Sequence, residues 1–306
     1  MLRSSKAKGY FALLITGIVW GTTWVVSKIA VNEMPALQMA AIRQFIGGMI
    51  FVSFFLIFKK FALPTRRQFV WLLVMAVIMF VSANGLSTWS IKYIPAGLSS
   101  LIGALYPLCV VILEKLFFKS RKLTALTFLG LVLGIGGIAI VFYENAFRDA
   151  GPQFLFGVFL STVAMLSWSL GTFFIARNKV EINPYYGVGW QMILASIILF
   201  ILAYGTQPAV AISNISVKAW MAIAYLVLFG SLLAFVAFIY SMKKLQPSIA
   251  SLYAYINPLV AMVTAHFVLG EKLSLNILWG AIVTLSGVFL VNYSMKRSEQ
   301  IREAEI

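Results

Sequence analysis

The sequence contains little charge: 11% of its 306 residues are charged and nine are acidic, whereas 61% are hydrophobic. A soluble protein of this length needs a much larger polar surface to stay in solution. The mean hydropathy of +0.95 instead indicates a surface that faces lipid. The scarcity of charge therefore excludes a soluble globular fold.

Cysteine and histidine occur once each, as Cys109 and His266. A single cysteine excludes a disulfide framework within the chain. One histidine, one cysteine and spans without a central acid cannot supply a Ser-His-Asp set or a metal cluster, and no phosphate-binding loop motif is present. We therefore expect no catalytic residues, no metal and no cofactor, and so no enzyme.

The formal net charge of +15 comes from 24 Lys and Arg residues. Such an excess can indicate nucleic-acid binding, but that function requires a folded basic face. Nearly all the basic residues here lie in short connections between apolar runs. We expect no nucleic-acid partner and interpret the pattern as an orientation signal.

Ten apolar runs are each long enough to cross about 30 Å of hydrocarbon as a helix. They are about twice as long as a barrel strand, so helices are predicted. The predicted spans are 9–31, 36–58, 68–91, 96–118, 124–143, 155–176, 185–204, 218–240, 247–269 and 274–294. The first run is too long for the hydrophobic core of a signal peptide and is predicted to be retained. The sequence therefore predicts an all-α polytopic membrane protein.

The basic residues also predict how the chain is oriented. Of the 24, Arg43 lies within a span, five lie in one set of alternating connections and the other eighteen in the other set. The minority set comprises Lys28, Lys92, Arg148, Lys218 and Lys272. Because cytoplasmic loops carry the excess of Lys and Arg, we predict a protein of the cytoplasmic (inner) membrane with both termini in the cytoplasm.

Residues about 150 positions apart match along the chain. The pairs are Trp20 and Trp168, Ser100 and Ser251, Pro107 and Pro258, Gly130 and Gly280, Gly137 and Gly287, and Tyr143 and Tyr293. The repeats are predicted to be residues 1–146 and 147–306, with five transmembrane helices each. An odd number of spans inverts the second repeat relative to the first, an arrangement typical of transporters. A duplication retained for structure alone is the other interpretation.

Several motifs carry a resemblance to a known family. The second half contains the Pro258-Leu259 step, the turn Leu269-Gly-Glu-Lys-Leu-Ser274, and Gly280 followed by Gly287. The first half matches through Trp20-Gly-Thr. The chain resembles an EamA-type member of the drug/metabolite transporter superfamily. This resemblance implies ten spans in two inverted repeats, and export or import of metabolites, amino acids or drugs.

Polar and aromatic residues share single helical faces in spans 1, 3, 6 and 9. Hydroxyls and amides gain nothing from lipid, so such faces favour the interior of a bundle or a wet cavity. Each residue alone could equally serve packing. The predicted solute-binding residues are Trp20, Thr23, Asn84, Thr88, Trp168, Thr172, Tyr253 and Asn257.

Two prolines stand at equivalent places in the two halves, Pro107 and Pro258. Each removes a helix hydrogen bond, and paired helix breaks often mark a binding site or hinge in transporters. We predict a gating or hinge role, and a kink used for packing is the alternative.

Two charged residues lie within or near the spans. Arg43 is about seven residues into span 2, roughly 10 Å deep, and costs about 2.5–3.5 kcal/mol there on insertion scales. It could contact an anion or a carboxylate, or it could extend outward and either cap loop carbonyls or pair with Glu33. Glu114, beside Lys115 near the cytoplasmic end of span 4, could be an interfacial ion-paired residue or a gating or coupling group.

A cluster of small residues marks spans 5 and 10. It comprises Gly130, Gly134, Gly136, Gly137, Gly280 and Gly287. Small residues let helices approach closely, either within one chain or across a dimer interface. The partners we expect are therefore the lipid bilayer and a small-molecule solute, with the protein a monomer or homodimer.

These features together predict a secondary transporter that exports a small amphipathic metabolite, an amino acid or a similar neutral or zwitterionic molecule, by alternating access. No acid lies near the middle of a span, so weak or absent proton coupling is predicted. A multidrug or organic-cation exporter that uses aromatic faces is the first alternative. A sugar-phosphate carrier, and a membrane enzyme or receptor, are weaker ones.

Overall fold

The computed structural model describes residues 2–118, 124–148, 151–175, 177, 180–206, 208–245 and 252–304. Within them the chain forms ten helical segments. These are α1 Leu2–Glu33, α2 Ala36–Ile57, α3 Arg66–Ser90, α4 Ala96–Gly103 and Tyr106–Phe118, α5 Ala125–Arg148, α6 Phe154–Ile175, α7 Pro184–Thr206, α8 Val217–Lys244, α9 Tyr253–Leu269 and α10 Leu275–Ala304. In this part of the chain no strand is found.

Nine of these segments are long and apolar enough to cross a membrane, and α9 adds a shorter apolar helix of 17 residues in the described ranges. The predicted ten-helix fold is confirmed. The predicted start of span 9, residue 247, lies outside the described residues. Two helices extend beyond their predicted spans, because α1 begins at Leu2 and α10 continues to Ala304, whereas the candidate spans within them are Lys6–Glu33 and Leu275–Ser294. A helix satisfies its own backbone in water as well as in lipid, so hydropathy cannot detect where such extensions stop.

Counterpart helices of the two halves run antiparallel. At one end of the α2–α7 pair, Gln38 Nε2 donates to the carbonyl oxygen of Val210, 2.6 Å away. At the other end, the rings of Phe55 and Tyr186 lie 5.7 Å apart. Residues early in α2 therefore meet the end of α7, and residues late in α2 meet its start.

The α5–α10 pair has the same relation. The hydroxyl of Ser294 is hydrogen-bonded to Thr124 at 2.6 Å and to Thr127 at 2.8 Å. At the far end of the pair, Ser274 Oγ donates to Glu144 Oε2 over 2.6 Å. Since two pairs of counterpart helices are antiparallel, the predicted inversion of the repeats is confirmed.

The two ends of the bundle differ in charge. Gly9 packs against Lys244, and Lys243 Nζ lies 4.9 Å from the ring centroid of Tyr185. We call this the basic end. The opposite end holds the ion pair between Glu33 and Lys218, at 3.0 Å. Helices α1, α3, α7 and α9 run from the basic end toward the opposite end. Helices α2, α4, α6 and α8 run in the other direction, toward the basic end.

Small residues bring α5 and α10 into backbone contact. A Cβ on Gly137 would lie 2.5 Å from the carbonyl oxygen of Gly280 and against Thr284. Gly136, the next residue, has no heavy atom within 4 Å of the equivalent position. With the exception of Gly136, the glycine cluster therefore serves contacts within the chain.

Gly137→Ala should destabilise the protein, because its methyl group would force apart two helices that touch through their backbones. We expect a loss of about 1–3 kcal/mol, measured as a fall of several degrees in the melting temperature of the detergent-purified protein. Gly136→Ala is the matched control and should leave the melting temperature unchanged or slightly raised. Equal effects of the two substitutions would contradict this packing.

Candidate functional site

A cavity of about 160 Å³ lies between the two halves, lined by residues of α1, α2, α3, α4, α6, α8 and α9. A single water molecule needs about 10–15 Å³ of such volume, the space open to the centre of a water-sized sphere. The cavity therefore has room for a small organic molecule. Both repeats contribute to its wall. Thr16, which is buried outside this cavity, donates to the carbonyl of Ala12 in its own helix at 2.9 Å.

The structure brings most of the predicted solute-binding residues together. Those that line the cavity are Trp20, Thr23, Asn84, Thr88, Trp168, Tyr253 and Asn257. Thr172 is not among them: it lies one turn beyond Trp168, and its hydroxyl donates to the carbonyl of that tryptophan at 2.8 Å. Of the two prolines, Pro258 lines the cavity, whereas Pro107 is buried where α4 resumes after a break at residues 104–105.

Aromatic side chains bound the cavity on the side of the basic end. The Trp20 ring centroid lies 5.2 Å from that of Phe235, 5.3 Å from that of Tyr253 and 6.1 Å from that of Trp168. Tyr106 stacks on Tyr253 at 6.2 Å. We call these five residues the aromatic layer. Edge-to-face and offset contacts at such distances are favourable, so the layer is a stable partition.

Polar residues lie on the other side of this layer, toward the opposite end. In each helix they come on the far side of the aromatic residue, as Thr23 and Ser27 do after Trp20 in α1. Ser99 links α4 to α6 through a 2.9 Å hydrogen bond with Ser161. The cavity is therefore apolar toward the basic end and polar toward the opposite end.

Helices α3 and α8 each contain a π-helical stretch beside the cavity, at Ala76–Gly85 and Leu226–Leu233. The wider turn changes which backbone carbonyls accept hydrogen bonds within the helix. Such segments are frequent at functional sites. Here the carbonyl oxygen of Gly230 accepts a hydrogen bond from Trp20 Nε1 at 3.1 Å. Sequence reasoning missed both segments, although a glycine inside an apolar span, Gly85 or Gly230, hints at an irregular turn.

Arg43 reaches the cavity from α2 and is 5% exposed. Its Nε donates to Ser231 Oγ at 3.0 Å. In the described part of the chain this is the guanidinium's one hydrogen bond, and Glu33 instead pairs with Lys218. Of the open interpretations, the outward pairing with Glu33 is therefore wrong.

The cavity presents hydrogen-bond donors and no negative charge among its described lining residues. Asn84 Oδ1 accepts from Gln44 Nε2 at 2.7 Å, and Asn257 Oδ1 accepts from Trp24 Nε1 at 2.9 Å. Both asparagines therefore use their carbonyl oxygen within the protein, which leaves their NH₂ groups for a bound molecule.

The lining residues that were not predicted to bind solute include Trp24, Ser99 and Tyr106. Trp24 follows Trp20 by four positions and so shares its face, a signal that could have found it. Ser99 and Tyr106 belong to α4, whose break at residues 104–105 changes which side chains share a face. The side chain of Glu114, predicted as an interfacial or coupling group, lies outside the described residues.

At the opposite end the second half is tied to the first across the cavity. Glu271 accepts hydrogen bonds from the backbone N–H groups of Ala96, at 2.7 Å, and Gly97, at 3.2 Å. A carboxylate at a helix N-terminus is stabilised by the helix dipole and the free N–H groups. Lys28 Nζ donates to the carbonyl of Ile94 at 3.1 Å beside it. These contacts hold α1, α4 and the α9–α10 turn against one another at the opposite end.

A small polar and aromatic cavity between inverted five-helix halves defines a multi-pass membrane protein of the transporter class. The chain belongs to the EamA-like transporter family, whose model matches residues 7–143 and 155–293. The resemblance drawn from its motifs is thereby confirmed.

Named relatives are similar over nearly the whole chain. The uncharacterized inner membrane transporter YedA of Escherichia coli (strain K12) is 29% identical, over 92% of this chain and 89% of its own. The uncharacterized transporter YvbV of Bacillus subtilis (strain 168) is 27% identical, over 97% and 95%. A solved crystal structure of a protein that is 16% identical has the same fold, with a TM-score of 0.65 covering 97% of this chain and 99% of that one.

The cavity can be tested by cysteine labelling, because the chain has one native cysteine. In a Cys109→Ala background, Ser87→Cys on the cavity side of α3 should react with a methanethiosulfonate ethylammonium reagent in membranes. Val77→Cys on the exposed outer face of α3 is the matched control. A thiol in hydrocarbon stays protonated and unreactive, so we expect Ser87→Cys to react at least about tenfold faster. Equal rates would argue against a wet cavity.

Proposed function

We propose that the protein is a secondary transporter that moves a small amphipathic metabolite, neutral or zwitterionic and of the amino-acid type, across the cytoplasmic membrane by alternating access. Its two repeats, residues 1–146 and 147–306, would move relative to each other around the bound solute. The observation that carries the proposal is the cavity at their interface, to which both contribute.

The packing of the helices supports alternating access. Helix α1 packs on α8 and α9 in the same way as its counterpart α6 packs on α3 and α4. Because the halves are related by inversion, exchanging their conformations turns an opening at one end into an opening at the other. The aromatic layer separates the cavity from the basic end, and Glu271 ties the second half to α4 at the opposite end, so these two barriers would open in turn during the cycle.

The predicted binding residues take distinct roles in this scheme. Trp20, Trp168 and Tyr253 would contact the apolar part of the solute, whereas Thr23, Thr88, Asn84 and Asn257 would contact its polar part. Thr172 lies on the basic-end side and would join the wall when that end opens. Pro107 and Pro258 would act as hinges, since α4 is broken just before the first and the second lies inside α9 beside the cavity, where it lacks a backbone N–H donor.

The charge of the cavity bears on coupling and direction. None of its described lining residues is a carboxylate that could carry a coupling proton. A carrier without coupling moves its solute down the solute's own gradient, which points outward for a metabolite made in the cell. We therefore propose export. Arg43 disfavours cations, so an organic-cation exporter stays the second candidate and rests on the aromatic layer.

Orientation and partners follow from the surface. We propose that the basic end faces the cytoplasm, which places both termini there. The apolar outer faces bind lipid, and the glycine face is already used within the chain, which supports a monomer over a homodimer formed through α5 and α10. No nucleic-acid, enzyme or receptor role is proposed, because the described residues place no basic face, catalytic set or signalling domain around the cavity.

Counterflow in proteoliposomes tests the transport proposal. Vesicles loaded with an unlabelled amino acid should take up the same labelled amino acid only when they contain the protein, across a panel of the twenty common amino acids. Trp168→Ala should lower that flux by about tenfold or more, equivalent to about 1.4 kcal/mol, because it removes part of the aromatic layer. Phe159→Ala, on the exposed face of α6, is the matched control.

An imposed pH gradient should change this flux little, and a several-fold dependence would contradict uncoupled transport. Formation of a product without net flux would support a membrane enzyme instead. Flux of quaternary amines, with none for amino acids, would support the organic-cation exporter.

Fusions to reporter domains test the orientation. Green fluorescent protein joined after residue 304 should fluoresce, and alkaline phosphatase joined there should be inactive, because we place this end in the cytoplasm. Alkaline phosphatase joined after residue 210, between α7 and α8 at the opposite end, should be active. The reverse pattern would refute the proposed topology.

A further inference from the structure

We propose that Arg43, with Asn84, forms a subsite for a carboxylate group of the solute, so that the transported molecules are amphipathic carboxylates and include amino acids. This inference rests on the proposed transport function and deepens it. It concerns which chemical group the cavity recognises.

The guanidinium of Arg43 is held in one orientation. Nε donates to Ser231 Oγ at 3.0 Å, and a Cβ on Gly230 would lie 3.0 Å from Nη2. The side chain therefore lies against the backbone of α8 at a position where a larger residue would displace it. Its two terminal nitrogens have no protein partner in the described ranges, and the residue lines the cavity.

A buried cation without a counter-ion is unfavourable, so a natural protein retains one where it has a use. In the described part of the chain the salt bridge between Lys218 and Glu33 lies on the surface, away from Arg43. The missing negative charge can come from the solute. Two parallel N–H groups of a guanidinium match the two oxygens of a carboxylate.

Asn84, which lines the same cavity, supplies a second donor. Gln44, the residue after Arg43, donates to Asn84 Oδ1 at 2.7 Å and so holds this asparagine against α2. The NH₂ group of Asn84 is left for the cavity. A carboxylate bound here would accept hydrogen bonds from α2 and α3 together, and its charge would not meet a second anion.

The aromatic layer begins beside this subsite. Trp20 donates its indole N–H to the carbonyl of Gly230, whose neighbour Ser231 holds Arg43. A solute with its carboxylate on Arg43 would therefore lay its apolar part across Trp20 and the rest of the layer. This arrangement fits amino acids and monocarboxylic acids with aliphatic or aromatic side chains.

Binding to the detergent-purified protein tests the subsite without requiring transport. The probes are the common amino acids and a set of aliphatic and aromatic monocarboxylates, each compared with its primary amide. We expect binders in these sets to lose at least about tenfold in affinity as amides, measured by tryptophan fluorescence titration. Equal affinity of acid and amide, or binding of none of the carboxylates, would overturn the proposal. Binding of amino acids but not of simple acids would add an ammonium contact to the carboxylate subsite.

Substitutions separate a binding role from a structural one. Arg43→Gln should abolish the thermal shift that the carboxylate produces, while the melting temperature without ligand stays equal or rises, because a buried charge is removed. Arg43→Lys keeps the charge without the planar fork and should bind with intermediate affinity. Arg66→Gln, at an exposed position at the start of α3, is the matched control and should behave as the unaltered protein.

A fall in melting temperature on Arg43→Gln, with carboxylate affinity unchanged, would assign Arg43 to structure and refute the subsite. If that variant fails to fold, Ser231→Ala provides the test, since it frees Nε and should lower carboxylate affinity several-fold. Carboxylate binding without counterflow would refute the transport proposal alone. Counterflow of solutes that lack a carboxylate, with no binding of acids, would refute the subsite alone.

Discussion

Hydrocarbon offers no hydrogen-bond partner, and this constraint organises the whole molecule. Each backbone polar group must be satisfied within its own helix or by a neighbouring one, and each polar side chain must turn inward. Some hydroxyls bond to a carbonyl one turn back, as Thr16 does. Many others lie where seven helices converge, so the cavity collects a large share of the polar side chains that lipid excludes.

Inversion determines which helices meet there. Counterpart helices lie antiparallel in the pairs α2–α7 and α5–α10, and their backbones touch through small residues such as Gly137 and Gly280. Each helix of the first half therefore has neighbours equivalent to those of its counterpart in the second half. A cavity built on this relation belongs to both repeats, and the proposed alternating access rests on that shared wall.

Charge breaks this symmetry. Arg43 has no cationic counterpart, since 148 residues later, the spacing that relates Trp20 to Trp168, the chain has Gln191. The bundle duplicates each helix, but among the described lining residues of the cavity Arg43 is the one cation. The closure at the opposite end is also specific to one half, because Glu271 of the second repeat caps the start of α4 in the first. A symmetric scaffold thus holds an asymmetric site.

The membrane class, the ten spans, the inverted duplication and seven of the residues that line the cavity were all predictable from the sequence. Hydropathy, charge placement and helical faces are local or periodic properties, and each is readable along the chain. Only the tertiary structure decided that Arg43 turns to Ser231, 188 residues away, and that Trp24 meets Asn257, 233 residues away. It also decided the π-helical stretches and that Thr172 lies outside the cavity. Such outcomes depend on which side chain from a distant helix arrives at the same point, and no local pattern encodes that meeting.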